Sequence, residues 1–393
     1  ELEYDGRTDT VSSKNSKLTG YLKFDHGSIL LTGPQSTIQN CKGIFSFINA
    51  NLIVDSLQGT LAGNPVYMKG RANNVLSVLS DDHVPVSLDW NIYAPVINLN
   101  SIRSVLLRKV TAPKKKSVKK TPISKTVENI DHLLSSGRVS ATLKADRLKI
   151  EKMDGRNFAA NIQLEGNTWS VKSASLQHGD GSVAVTANIK EVSPNRLLFT
   201  SNLNLKNVDA RKTFYAFENF GMKGISHENI RGKLNLTAQY GIQLNGKGEA
   251  NMNTMQGKAS FSIKNGALLN FPPLMDIQKT AFKKRDFSNV QFAEINNNLV
   301  FENAGVTIKR MAINSSVLTL FVEGVYGLNN NTDISIQVPL KNLSKKSDEA
   351  RPEYISGDAK GGMSVFLRAS SDKDGKIKIK YDPLKRFKGN KTK

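Results

Sequence analysis

Five histidines, one cysteine and scattered carboxylates are the residues of this chain best suited to metal, acid–base or nucleophilic chemistry. Zinc needs three or four converging ligands. None of His26, His83, His132, His178 or His227 has a second His, a Cys or clustered carboxylates at ligand spacing. His26 and His178 stand beside Gly27 and Gly179 and read as surface loop residues. Asp154, Asp180 and Glu294 are isolated, which offers no pair for general acid–base work. No Gly-x-Ser-x-Gly elbow, phosphate-binding loop or dinucleotide fingerprint occurs in its required strand-to-helix setting, and Gly246-Lys-Gly248 reads as a turn. Cys41 lies between Ile38 and Ile44 and reads as a strand-edge residue. The expectation is a protein with no catalytic residues, no metal and no cofactor.

Charge gives the next clue. The chain of 393 residues carries a net charge of +21. From Ser101 to Val127 there are nine basic residues and no acid, and from Asp372 to Lys393 nine more against three Asp. Much of the excess therefore sits in a linker and a tail. Binders of single-stranded nucleic acid interleave basic residues with aromatic platforms. The Lys run at 114–120 contains no aromatic residue, so it reads as a solvated linker and nucleic acid is not an expected partner.

The rest of the chain is built for strands. One phrase recurs: Leu57-Gln-Gly-Thr-Leu-Ala-Gly-Asn-Pro-Val-Tyr-Met-Lys-Gly70, then Leu176 to Ala187, then Ile313 to Gly324. Each copy ends a strand, turns on small or polar residues and begins another strand, and recurrence of one unit marks an array. In Val84-Pro-Val86-Ser-Leu88-Asp-Trp90-Asn-Ile92 the large apolar residues share one face and Ser87, Asp89 and Asn91 the other. Segments 156–165, 168–176, 181–190 and 196–206 follow as an antiparallel meander. Asp209 is placed to cap a helix running to Gly221 with Phe214, Phe217 and Phe220 on one side, and a second helix is expected over 272–284. A basic linker or insertion is expected over 101–136, opening on a short helix at 101–107 and followed by Thr111 to Lys125, which is expected to be disordered.

About twenty strands with only a few short helices predict a mainly β fold: a long curved antiparallel sheet forming an elongated hydrophobic groove. Twist accumulates in large sheets and prevents them staying flat. Hydrophobic residues are 39% of the chain, which suits a sheet with one face in water. The residues expected to line the groove are Trp90, Leu234, Leu236, Phe261, Ile263, Leu299 and Phe301. Leu318, Leu320, Val322, Ile334, Ile336 and Val338 complete the set, with Leu340 ending their strand. Val317 and Phe321 point the other way, so that strand is apolar on both faces.

From Gly232 onward the order of features resembles the C-terminal region of the AsmA family of bacterial envelope proteins. The match lies in Gly257-Lys-Ala-Ser-Phe-Ser-Ile-Lys-Asn-Gly266, the helix 272–284 and Phe287-Ser-Asn-Val-Gln-Phe292. Next come two strands, then Ser315-Ser316 leading to Val322-Glu-Gly324-Val-Tyr-Gly327, and Asp333 to Leu340 closes it. Arg285 stands where the family usually has Thr, and Asn occupies 296–298 where a Gly is common. The resemblance covers about 230–340 and implies a periplasmic protein anchored in the inner membrane by an N-terminal helix. It further implies the repeating β-groove of TamB-like lipid-transfer proteins, with phospholipid acyl chains, the inner and outer membrane surfaces and envelope proteins as partners. The expected organisation is a groove segment 1–100, the linker 101–136 and a meander 137–230. An AsmA-like module 231–345 follows, then terminal strands and a basic tail over 346–393.

Overall fold

A computed structural model describes residues 2–5, 17–30, 37–49, 51–75, 85–100, 137–166, 168–222, 224–246, 248–272, 274–275, 278, 285–328, 331–339, 363–372 and 375–382. The expected helix at 101–107, the basic segment Thr111 to Lys125, most of 272–284, Leu340 and the end of the tail lie outside them. The protein is mainly β, an extensive sheet that does not close into a barrel. It divides into two compact units: Glu1–Gln177 with Ala184–Phe199 and Leu244–Glu249, and His178–Val183 with Thr200–Gln243 and Ala250–Lys393.

In the first unit the strands run β1 (Leu2–Asp5), β2 (Lys17–Leu30), β3 (Thr37–Ile48), β4 (Asn51–Leu61) and β5 (Asn64–Asn73). They continue with β6 (Ser87–Asn98), β7 (Arg138–Ile150), β8 (Met153–Glu165) and β9 (Thr168–His178). Neighbours in sequence pair antiparallel, with one departure from the expected antiparallel sheet. Strands β6 and β7 are parallel, Trp90 standing beside Ala141. A parallel neighbour requires a crossover connection, which the long 99–137 interval supplies. Strands β10 (Gly181–Ser193) and β11 (Arg196–Asp209) follow.

The second unit contains β12 (Ile230–Asn245), β13 (Ala250–Leu269), β14 (Asn289–Phe292), β15 (Ile295–Glu302) and β16 (Gly305–Asn314). It ends with β17 (Thr319–Gly327), β18 (Asp333–Pro339), β19 (Ser364–Ser371) and β20 (Ile377–Tyr381). Each copy of the recurrent phrase forms a turn between strands. Ala62 and Gly63 turn at φ 48° and 79°, and Gly179 and Asp180 at 55° and 63°, the positive values that tight hairpins need. The third is closed differently: the Ser315 hydroxyl donates to the Leu318 carbonyl at 2.6 Å.

Helix α1 (Ala210–Ala216) begins where the sequence places it, the Asp209 carboxylate accepting from the Lys212 amide at 2.8 Å. It stops earlier than expected. Glu218, Asn219 and Phe220 all have positive φ, so the chain leaves the helix at Phe217 and only Phe214 of the three phenylalanines is buried. Asp180 receives Lys212 at 3.5 Å and Lys233 at 3.7 Å, and these two ammonium groups hold its carboxyl below the usual carboxylate range.

Cys41 is not at a strand edge. It is fully buried among Ile38, Val54 and Leu57, and its thiol donates to the Ile38 carbonyl at 3.1 Å. Burial pushes that thiol up from its ordinary pKa, so thiolate is scarce at neutral pH. A disulfide reagent should therefore leave the folded protein unmodified over minutes and label one thiol per chain in denaturant. Rapid labelling of the native protein would contradict the burial.

Candidate functional site: an apolar sheet face

Register determines which side chains share a face, because directly paired residues on neighbouring strands point the same way. Beginning at Leu22, the partners run Phe45, Val54 and Gly70, then Trp90, Ala141, Ile162 and Val171. This row crosses β2 to β9 without one polar side chain. A second row runs beside it from Phe24 through Gly43, Leu57 and Met68 to Ile92, Leu143, Ala160 and Ala174. A third starts at Gly20 and Phe47 and ends at Leu164 and Trp169. The opposite face of the same strands carries Lys23, Lys69, Asp89, Asn91 and Thr142.

Two features shape this face. Short bulges between Phe24 and Gly27, and between Gln39 and Lys42, shift the alternation along β2 and β3. Near the middle, the Trp90 ring lies over Gly70. A β-carbon built on Gly70 would stand 2.6 Å from Trp90 Cε3 and 2.6 Å from the Asp89 carbonyl oxygen. Glycine in a strand costs stability, and here its bare backbone provides the seat for an aromatic ring. Gly70→Val should displace the indole, with a loss of about 1–3 kcal/mol. A changed tryptophan emission maximum together with a lowered urea midpoint checks this, and an unchanged spectrum would place Trp90 elsewhere.

In the second unit the row Ala259, Leu299, Ile308, Gly324, Ile334, Ala369 and Ile379 spans β13 and β15 to β20. Phe261, Ile263 and Phe301 share its face through their partners Asn297, Ile295 and Val306. Leu320, Val322 and Ile336 join it through Ile313, Met311 and Leu367, and Val338 through Val365. Leu234 and Leu236 lie two apart on β12 and so share one face of that strand. A shift between Ile308 and Met311 keeps both residues on this face despite their unlike parity. Phe321 is apolar on the other face, as its strand pattern indicates, and the Arg310 guanidinium lies 4.7 Å from its ring centre.

The expected lining residues fall into two environments. Trp90, Leu236, Phe261, Ile263, Leu299 and Phe301 are half-buried. Leu318, Leu320, Ile336 and Val338 belong instead to a closed core with Leu274, Phe287, Val290 and Ala369, against which Phe271 and Met275 pack. Phe271, Leu274, Met275 and Phe287 thus cover the β17–β19 end of the face. The Gln278 side chain accepts from the Phe287 amide at 3.2 Å, and Arg285 donates to the Val317 carbonyl. This cover is not legible in the sequence, because the apolar positions 271, 274, 275 and 287 have no strand alternation to mark which face they meet.

Among the described residues no group of three or more His, Cys, Asp or Glu converges in a way that could hold a metal ion. No helix among them is long and apolar enough to cross a membrane. Comparison of the chain with family models, curated proteins and solved structures finds no match.

Proposed function

We propose that the apolar faces of the two units hold phospholipid acyl chains. In this reading the protein is a non-enzymatic lipid carrier of the AsmA-like kind, working in the periplasm between inner and outer membranes. The observation that carries the reading is the set of unbroken apolar rows from β2 to β9, half-exposed at Phe24, Trp90, Ile92 and Leu143. An apolar face of that extent is stabilised by anything that removes it from water, at about 0.8 kcal/mol for each buried methylene. Acyl chains fit because they need no polar partner along their length. Head groups would remain at the solvent side.

A second reading is a scaffold whose apolar face is filled by protein. It is favoured by one observation: at β17–β19 the chain already fills its own face with Phe271, Leu274, Met275 and Phe287. Solvent extraction of the purified protein followed by mass spectrometry separates the two. Lipid carriage predicts phospholipid at a constant ratio to protein, while the scaffold reading predicts a lipid-free protein that co-purifies with a polypeptide.

A further inference from the structure

The polar face of the first unit contains a cleft of about 450 Å³ across β2 to β7, a volume within the range of small-ligand sites. Its charged lining is Lys23, Lys42, Lys69 and Lys144, and no Asp or Glu lines it. At about 4.8 Å between strands, Lys23 on β2 and Lys144 on β7 stand roughly 24 Å apart along the sheet. The cations therefore form a track and not a point. Between them Tyr67 and Tyr93 make a platform, paired across β5 and β6 with ring centres 5.9 Å apart and planes tilted by 31°. Both rings are open to solvent, at 45% and 40% exposure.

Two carboxylates near this cleft are already engaged, and Asp89 of the same face stands opposite Arg71 across β5 and β6. Asp146 accepts from the Tyr93 hydroxyl at 2.9 Å, which fixes that ring, and Asp25 lies 3.9 Å from Lys42 and 3.6 Å from His26. Among the described residues Lys23, Lys69 and Lys144 make no ion pair. The neutral polar groups of the lining are Ser56, Gln58, Asn91 and Thr142, and Ile44 with Phe24, Gly43, Leu57, Met68 and Ile92 supplies apolar floor.

We propose that this cleft binds a short, phosphate-bearing oligosaccharide. The C–H faces of sugar rings carry partial positive charge and stack on the negative faces of Tyr67 and Tyr93. Phosphates meet Lys23, Lys69 and Lys144, and Gln58, Asn91, Ser56 and Thr142 match sugar hydroxyls. A nucleic acid strand would use the lysines and the rings but gives little work to four neutral hydrogen-bonding groups. The lysines and both tyrosines alternate with Phe24, Leu57, Met68 and Ile92 of the apolar row, which border the cleft from its floor, so the binding groups belong to the face opposite the proposed acyl-chain surface.

Calorimetric titration of the full chain tests it, with the deacylated, multiply phosphorylated core oligosaccharide of lipopolysaccharide as probe. Saturable binding is expected, weakened roughly thirtyfold in K69E/K144E by the lost charge-assisted contacts. Tyr67→Ala should weaken it about fivefold. The dephosphorylated probe should bind at least as weakly as the double variant does to the intact one. Equal affinity for intact and deacylated glycan would make a glycolipid head group the source, whereas preference for the deacylated form would make it the free saccharide. The proposal is overturned if no binding occurs, if inorganic phosphate or an oligonucleotide of equal charge binds as well, or if Tyr67→Ala has no effect. Each variant alters an exposed side chain, and an unchanged circular dichroism spectrum checks that the fold is retained.

Discussion

Truncating Phe287 to alanine is expected to destabilise the second unit by about 3–5 kcal/mol, the range for removing a fully buried phenylalanine ring. The ring is 0% exposed and packs with Leu318, Leu320, Ile336 and Val338, so its loss leaves a cavity that β-strands on both sides cannot close. Native domains are stable by only about 5–15 kcal/mol, which makes this a large fraction of the total. Leu320→Asp should be worse, because a carboxylate would enter the same core without a partner. Urea unfolding followed by circular dichroism measures both. A Phe287→Ala variant as stable as the parent would mean that Phe287 does not cover the face.

Charges placed on the open part of the face should act differently. Ile92→Asp with Leu143→Asp, and separately Phe301→Asp, are expected to leave folded protein that loses most of its bound phospholipid. All three positions are half-buried, so water can reach the new carboxylate when no lipid is present. An acyl chain over it would strip that water at a cost of several kcal/mol. Val300→Asp is the control: it lies next to Phe301 on β15, points to the opposite face, and should retain lipid. Loss of lipid in Val300→Asp as well would indicate general damage and not a face-specific effect.

Much of this was legible in the residues. Strict alternation, as in Leu88, Trp90 and Ile92 or Leu299 and Phe301, states which side chains share a face before any partner is known. Turn residues such as Ala62-Gly63 and Gly179-Asp180 locate the strand ends. Other features depend on register, which no single strand contains. The bulge between Ile308 and Met311 breaks the parity that a reader would follow. The parallel pairing of β6 with β7 brings Trp90 beside Ala141, fifty-one positions away in sequence. Tyr67 and Tyr93 look like unrelated surface residues until the pairing of β5 with β6 sets one against the other. The core under Phe287 likewise joins positions from six separate segments.

The closure of that core also limits where lipid could lie. Leu318, Leu320, Ile336 and Val338 were expected to face an open groove along with Trp90 and Phe301. Packed beneath Phe287 and Leu274, they contribute to stability. On this basis the proposed lipid-contacting surface of the first unit comprises Trp90 with the rows through Ile92 and Leu143, and that of the second unit the half-buried Leu236, Phe261, Ile263, Leu299 and Phe301. Leu234 on β12 is buried at 6% exposure and is not part of the open surface.

Site-specific photocrosslinking along β6 and β7 tests the central claim most directly. A photoreactive amino acid is placed in turn at Leu88, Asp89, Trp90, Asn91 and Ile92, and at Ala141, Thr142 and Leu143. The protein is then irradiated in the cell envelope and searched for attached phospholipid. Lipid adducts are predicted at Leu88, Trp90, Ile92, Ala141 and Leu143, and none at Asp89, Asn91 or Thr142, a period of two that follows the sheet register. Adducts spread evenly over both faces, or confined to proteins and absent from lipid, would contradict lipid carriage on the apolar face.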